Sequence, residues 1–264
     1  MKVEGTVAII TGGADGLGKG YAEALLQKGA KGVCLADVDV QRGRSTEQQF
    51  ISKYGPNKAY FLQCDVTSHH QFKHVFRKAL DKYGRIDIVV NNAGIGDEGS
   101  QEKRSLMIDV NLKAVVGGTY LAKEYMSKTS GGHGGLVVNI SSMAGLVGGA
   151  FSPVYTAVKE GVIGFSRIVV QYDSAFTTDN IRLNVLCPTF VGNAGMFIKT
   201  KSRTDLPEDA LEHRKHIQTL DMSKVVEGFM KLVEEDEHNG KVMRVTREKG
   251  IDFQRFRAGY ISKL

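Results

Sequence analysis

Residues 6–18 read Thr6-Val7-Ala8-Ile9-Ile10-Thr11-Gly12-Gly13-Ala14-Asp15-Gly16-Leu17-Gly18, a short β-branched apolar run that breaks into glycines and then into a helical pattern. With 31 glycines in 264 residues, a glycine trio alone says little. Its placement after a strand and before a helix says more. Gly12 allows a tight turn, Gly16 lets backbone approach a pyrophosphate, and Gly18 lets the helix pack closely on the sheet, with the helix N-terminus facing negative charge.

Working outward, further strand-like runs follow at intervals: GVCLA, AYFLQC, IDIVV, LVVNI, IRLNVL and KVMRVT, making seven with the first. Helical patterns lie between them, near 17–29, 41–54, 68–83, 102–128, 154–174 and 221–236. Such alternation predicts the α/β class, a Rossmann-type doubly wound parallel sheet of about seven strands with helices on both faces. No low-complexity run divides the chain, so residues 1–264 are expected to form one domain that both binds a dinucleotide and carries the catalytic groups. From Val191 to Leu220 the rhythm breaks into Gly, Thr, Lys and Asp, the mark of a lid over a substrate.

Composition narrows the function. Apolar runs are far shorter than the roughly 18 residues of a membrane span, and the start MKVEGTVAIITGG lacks the profile of a signal peptide. Cys34, Cys64 and Cys187 are widely spaced and form no CxxC pair, which argues against a disulfide framework or a thiolate zinc site. No metal is expected. His70 with His74 and His213 with His216 have helical spacing but no third ligand. The net charge of +6 is scattered among acids, which fits an anionic small molecule better than nucleic acid. ISSMAG lacks the first glycine of a serine-hydrolase elbow. The last residues, Ser262-Lys263-Leu264, form the tripeptide read by the peroxisomal import receptor; a peroxisomal location is expected, with the cytoplasm as alternative.

The ends of the predicted strands carry the chemistry. Asp37 closes the second strand about 20 residues beyond the glycines, where a carboxylate accepts from ribose hydroxyls and repels a 2′-phosphate, favouring NAD over NADP. The alternative is a cap on the next helix. Asp65, after the third strand, either accepts from an adenine amino group or caps the helix beginning near Ser68. Asn91-Asn92-Ala93-Gly94 ends the fourth strand, and Asn111 opens a long helical stretch that it caps or kinks. Tyr155 and Lys159 share one helical face, and a nearby ammonium draws a phenol down from about 10 toward the working pH. Ser142 lies 13 residues earlier at a strand end.

The combination TGxxxGxG, NNAG, Ser142, Tyr155 and Lys159 resembles the short-chain dehydrogenase/reductase family along essentially the whole chain. AEALLQKGAK, GGLVVNISSMAGL, PVYTAVKEGVIGFSR and NGKVMRVTREKGIDFQ are similar to its NAD-dependent 15-hydroxyprostaglandin dehydrogenase branch. The resemblance implies NAD-dependent oxidation of a secondary alcohol on a lipid-like substrate, a 15-hydroxyprostaglandin or hydroxy fatty acid. It makes Tyr155 the proton acceptor, Lys159 the group that lowers its pKa and holds the nicotinamide ribose, Ser142 the donor to the reacting oxygen, and Asn111 the support of an outward proton path. NAD would lie along Gly12 to Gly20, including Asp15, Gly16, Leu17 and Gly18, and against Asp37, Asp65, Val66, Asn92, Ala93, Gly94 and Val191. A homodimer packed through the long helix near Asn111 and the helix of Tyr155 is also implied.

Three positions depart from the family pattern. Thr189 replaces a glycine after Pro188, Asn193 replaces a threonine near the carboxamide, and Ser152 replaces a substrate-contacting glutamine three residues before Tyr155. A shorter side chain at 152 rewires the pocket. A broader secondary-alcohol, retinoid or 3-hydroxyacyl dehydrogenase is therefore an alternative, and a non-catalytic NAD-binding scaffold a third.

Overall fold

The computed structural model describes residues 1–149, 152–192, 212 and 218–256. Strand β1 (Val7–Thr11) leads to helix α1 (Gly16–Gln27), β2 (Gly32–Asp37) to α2 (Val40–Tyr54), and β3 (Ala59–Gln63) to α3 (His69–Tyr83). Then come β4 (Ile88–Asn91), α4 (Gln101–Ile108), α5 (Ala114–Met126), β5 (Gly135–Ile140), the single turn α6 (Ala144–Val147), α7 (Pro153–Tyr172) and the short α8 (Ala175–Thr178). The described chain closes with β6 (Ile181–Pro188), α9 (Met222–Glu234), β7 (Val242–Thr246) and β8 (Gly250–Phe253).

The strands form one sheet in the order β3-β2-β1-β4-β5-β6-β7-β8, parallel throughout except for the last pair. The direction of winding changes between β1 and β4, so their carboxyl ends leave a crevice where ligands of such sheets bind. The seven expected strands are present, and an eighth is added. β8 turns back on β7 through the Arg244–Asp252 ion pair, a tertiary contact that leaves no alternating pattern in four half-buried residues.

Alternation of side chains sets the two layers. All five residues of β1 are buried. Ala8 and Ile10 face Tyr21 and Leu25 of α1 and Phe229 of α9, while Ile9 faces Phe72 and Phe76 of α3 and Leu121 of α5. No helix of the described residues is long and apolar enough to cross a membrane.

The helix expected over 102–128 is interrupted. Residues Asp109–Lys113 form a π turn between α4 and α5, and Asn111 lies inside it, fully buried. The expected lid is described only at its roots: Val191 pairs with Leu220, and Leu220 N donates to the Phe190 carbonyl at 2.7 Å, so both ends meet beside β6. Asn193, His213, His216 and Ser262-Lys263-Leu264 lie outside the described residues.

Beneath the carboxyl ends of β4 and β5 runs a buried polar cluster. Asn91 Nδ2 donates to Asn139 Oδ1 at 2.8 Å, and Asn139 Nδ2 donates to Ser166 Oγ of α7 at 2.9 Å and to Thr119 Oγ1 of α5 at 3.1 Å. Two helices are thus tied to the sheet through one amide. Asn139→Ala leaves several of these groups unpaired and is expected to lower unfolding free energy by about 3 kcal/mol in urea titration.

Candidate active site

Backbone geometry builds the first wall of the crevice. Gly12 takes φ 63° and Gly16 φ 57°, the left-handed region that glycine enters without strain. A Cβ on Gly18 would collide with the Gly12 carbonyl oxygen, which is why α1 starts so close to β1. Thr11, overlooked in the sequence, locks this turn to β4: its Oγ1 accepts from the backbone N–H of Asn92 at 2.9 Å and of Ala93 at 3.0 Å. Asn92 answers with Nδ2 donations to the carbonyls of Thr11 at 2.9 Å and Gly12 at 3.2 Å. A threonine directly before the glycines was the available signal.

The acidic residues separate by role. Asp39 caps α2 by accepting from Arg42 N at 3.0 Å, which leaves Asp37 free of that duty. Asp37 instead accepts from Ala14 N of the glycine turn at 3.0 Å and from Asp39 N at 3.1 Å, so its carboxylate stands at the carboxyl end of β2. Asp15 caps α1 and takes Arg42 Nη1 at 3.3 Å. Ser68 caps α3, whereas Asp65 accepts from Thr67 N and Oγ1 at 2.9 and 2.8 Å in a turn beside the half-buried Val66. Leu17 packs from α1 on the core, and Gly94 continues the β4 loop.

The second wall carries the candidate reactive groups. β5 continues into Ser141, whose N–H donates to Leu186 O and whose Oγ donates to Lys159 O at 2.8 Å. Ser142 follows at the strand end, its Oγ accepting from Ala144 N at 3.1 Å and hydrogen-bonding the Tyr155 side chain. On α7, Lys159 passes under Tyr155, with Nζ 5.6 Å from the ring centroid, and donates to the Ile140 carbonyl at 2.9 Å. Ser152 is the residue before α7 and makes no capping bond with its side chain. Asn111 holds the loop after β4, donating to the Ile95 carbonyl at 2.7 Å and accepting from Ile95 N at 2.8 Å.

The electrostatics depart from the expected simple depression of the tyrosine. Burial pushes the Tyr155 phenol up to about 12, and the Ser142 hydrogen bond opposes this. Burial pulls the Lys159 ammonium down to about 8, with Cys187 opposing. Loss of water disfavours either charged form, an effect that outweighs the proximity of the pair.

The family model described as short chain dehydrogenase matches residues 6–205. NAD(+) 15-hydroxyprostaglandin dehydrogenase of Macaca fascicularis is 40% identical over 98% of this chain and 97% of its own, and that of Homo sapiens 40% over 96% of each. The chain belongs to the short-chain dehydrogenase/reductase family.

As a short-chain dehydrogenase it is an oxidoreductase, and its other relatives vary in chemistry. It is 35% identical to the 3-oxoacyl-[acyl-carrier-protein] reductase FabG of Thermotoga maritima over 80% of this chain and 82% of that one. A short-chain dehydrogenase/reductase from Burkholderia phymatum, crystallised with NAD, shares its fold at TM-score 0.77 and 23% identity, over 89% of this chain and 88% of that one.

The depressed lysine has a measurable consequence. An unfolded lysine keeps its proton to about 10.5, the folded Lys159 to about 8, so between those values the unfolded chain binds more protons and rising pH favours folding. In urea titrations at about pH 7 and about pH 9.5, the stability of Lys159→Met relative to wild type is expected to fall as pH rises.

Proposed function

We propose that this short-chain dehydrogenase oxidises a secondary alcohol on an apolar, lipid-like substrate to the ketone, with NAD as acceptor. The observation that carries the reading is the convergence of Ser142, Tyr155 and Lys159 on the crevice that begins at the glycine turn. The cofactor fit rests on the chain's own features: a turn too tight for any Cβ at Gly18, and the Asp37 carboxylate held by Ala14 N at the end of β2. Carboxylates at Asp15, Asp37 and Asp39 disfavour a 2′-phosphate there.

Bound NAD supplies a hydride acceptor and a cationic ring that adds to the groups favouring phenolate. Tyr155 takes the hydroxyl proton, Ser142 holds the oxygen as it becomes a carbonyl, and Lys159 fixes the tyrosine from below. Asn111 is the residue to which the family resemblance gives the outward proton path. Val147 on α6, 76% exposed, offers apolar surface on the turn that follows Ser142. A lipid-like substrate is further supported by the 40% identity to 15-hydroxyprostaglandin dehydrogenases.

Ser152 and the likeness to an acyl-carrier reductase favour a second reading, a broader secondary-alcohol or 3-hydroxyacyl dehydrogenase. The two are separated by NADH formation at 340 nm with 15-hydroxy prostaglandins, hydroxy fatty acids, 3-hydroxyacyl thioesters and simple secondary alcohols. Turnover of the first two classes with NAD is expected; turnover confined to the thioesters would select the second reading. Tyr155→Phe is expected to lower kcat by about 10²–10⁴-fold while leaving NAD affinity nearly unchanged, and retained turnover would remove the proposed base.

The same reading includes a homodimer. Tyr120 of α5 and Ile168 and Tyr172 of α7 are 46%, 40% and 66% exposed. Gly117 and Gly164 on these helices face open space that would admit a partner helix closely. Light scattering at micromolar protein is expected to give twice the chain mass.

A further inference from the structure

The bond that starts α7 comes from elsewhere in the chain. Tyr155 is the third residue of the helix, so its backbone N–H has no partner within it. Ser152 would ordinarily supply one, but its side chain makes no such bond, and Pro153 has no N–H to offer. The acceptor is Glu98 Oε2 at 3.0 Å, 57 residues away on the loop between β4 and α4. Glu98 is 8% exposed, a rare position for a carboxylate, and a helix N-terminus is where a negative charge is best tolerated.

That loop is held at both ends. Asn111 grips Ile95 through its N–H and its carbonyl, and Arg104 Nη1 donates to the Glu98 carbonyl at 3.2 Å. Three residues before Ile95 stands Asn92, which is bonded to the glycine turn. One continuous strap therefore runs from the cofactor crevice to the amide of the reactive tyrosine.

We propose that Glu98 is a positioning residue: its carboxylate fixes the first turn of α7 so that the Tyr155 phenol meets Ser142 and the reacting oxygen. The proposal rests on the reading of Tyr155 as proton acceptor, and it acts through geometry, because Glu98 contacts the backbone of Tyr155 and the phenol lies at the far end of that side chain. An error of about 1 Å in a reacting group costs up to about 100-fold in rate.

Three variants separate reach from charge. Glu98→Gln keeps the acceptor oxygen and loses the charge; Glu98→Asp keeps the charge and withdraws the oxygen by about 1.5 Å; Glu98→Ala loses both. Expected is a kcat within about threefold of wild type for Gln, and falls of about 10-fold for Asp and up to about 100-fold for Ala, with KM for NAD unchanged throughout. In ¹⁵N-tyrosine-labelled protein, the Tyr155 amide, assigned by its absence from Tyr155→Phe, is expected to exchange faster in the Asp and Ala variants alone.

Asp outperforming Gln would overturn the proposal in favour of a charge effect, and so would wild-type kcat with slow Tyr155 exchange in the Ala variant. A loss of NAD affinity in step with kcat would also overturn it. If Ala does not fold, the order of Gln and Asp still decides. Turnover retained by Tyr155→Phe would remove the acceptor reading, while faster Tyr155 exchange in Glu98→Asp would still support the clamp.

Discussion

Lys159 holds its ammonium among strand ends, 3% exposed, against the carbonyl of Ile140. A buried charge is costly unless its surroundings are fixed in advance, and much of the neighbouring structure does this fixing. Ser141 bonds the Lys159 carbonyl, Gly145 lies against the same peptide with no room for a Cβ, and Asn139 and Ser166 tie α7 to the sheet beneath. The lysine is thereby held under Tyr155, and the pair is anchored to β5. The same burial that makes the ammonium costly lowers its proton affinity and raises that of the phenol.

Across the crevice the opposite sign prevails. Asp15, Asp37 and Asp39 stand at the ends of β1 and β2, each oriented by a backbone N–H, with Arg42 reaching Asp15 and Asp39. The crevice therefore has an acidic end and a cationic end. The Thr11 and Asn92 bonds keep these ends in register through the sheet.

The glycine turn, the seven parallel strands and the Ser142, Tyr155 and Lys159 set were legible because each is local: a strand run, a spacing of four, a strand end. What escaped was non-local. The four residues of β8 become a strand through Arg244 meeting Asp252, the π turn at 109–113 accompanies the grip of Asn111 on Ile95, and Glu98 reads as a loop acid until α7 is brought against it. Read from sequence, Asp37 and Asp65 each had helix capping as an alternative role; the caps fall instead to their neighbours Asp39 and Ser68, since adjacent acids and hydroxyls compete for the same amides. The direction of the tyrosine shift failed for a related reason: spacing shows the ammonium but not the loss of water.

The bridge between Val191 and Leu220 bears on how this chain tolerates changes of length. For a connection whose two ends are fastened beside β6, closure entropy adds about 0.6 kcal/mol for each doubling of its length. A change of length between those two anchors therefore adds little closure cost to the sheet that carries Ser142, Tyr155 and Lys159.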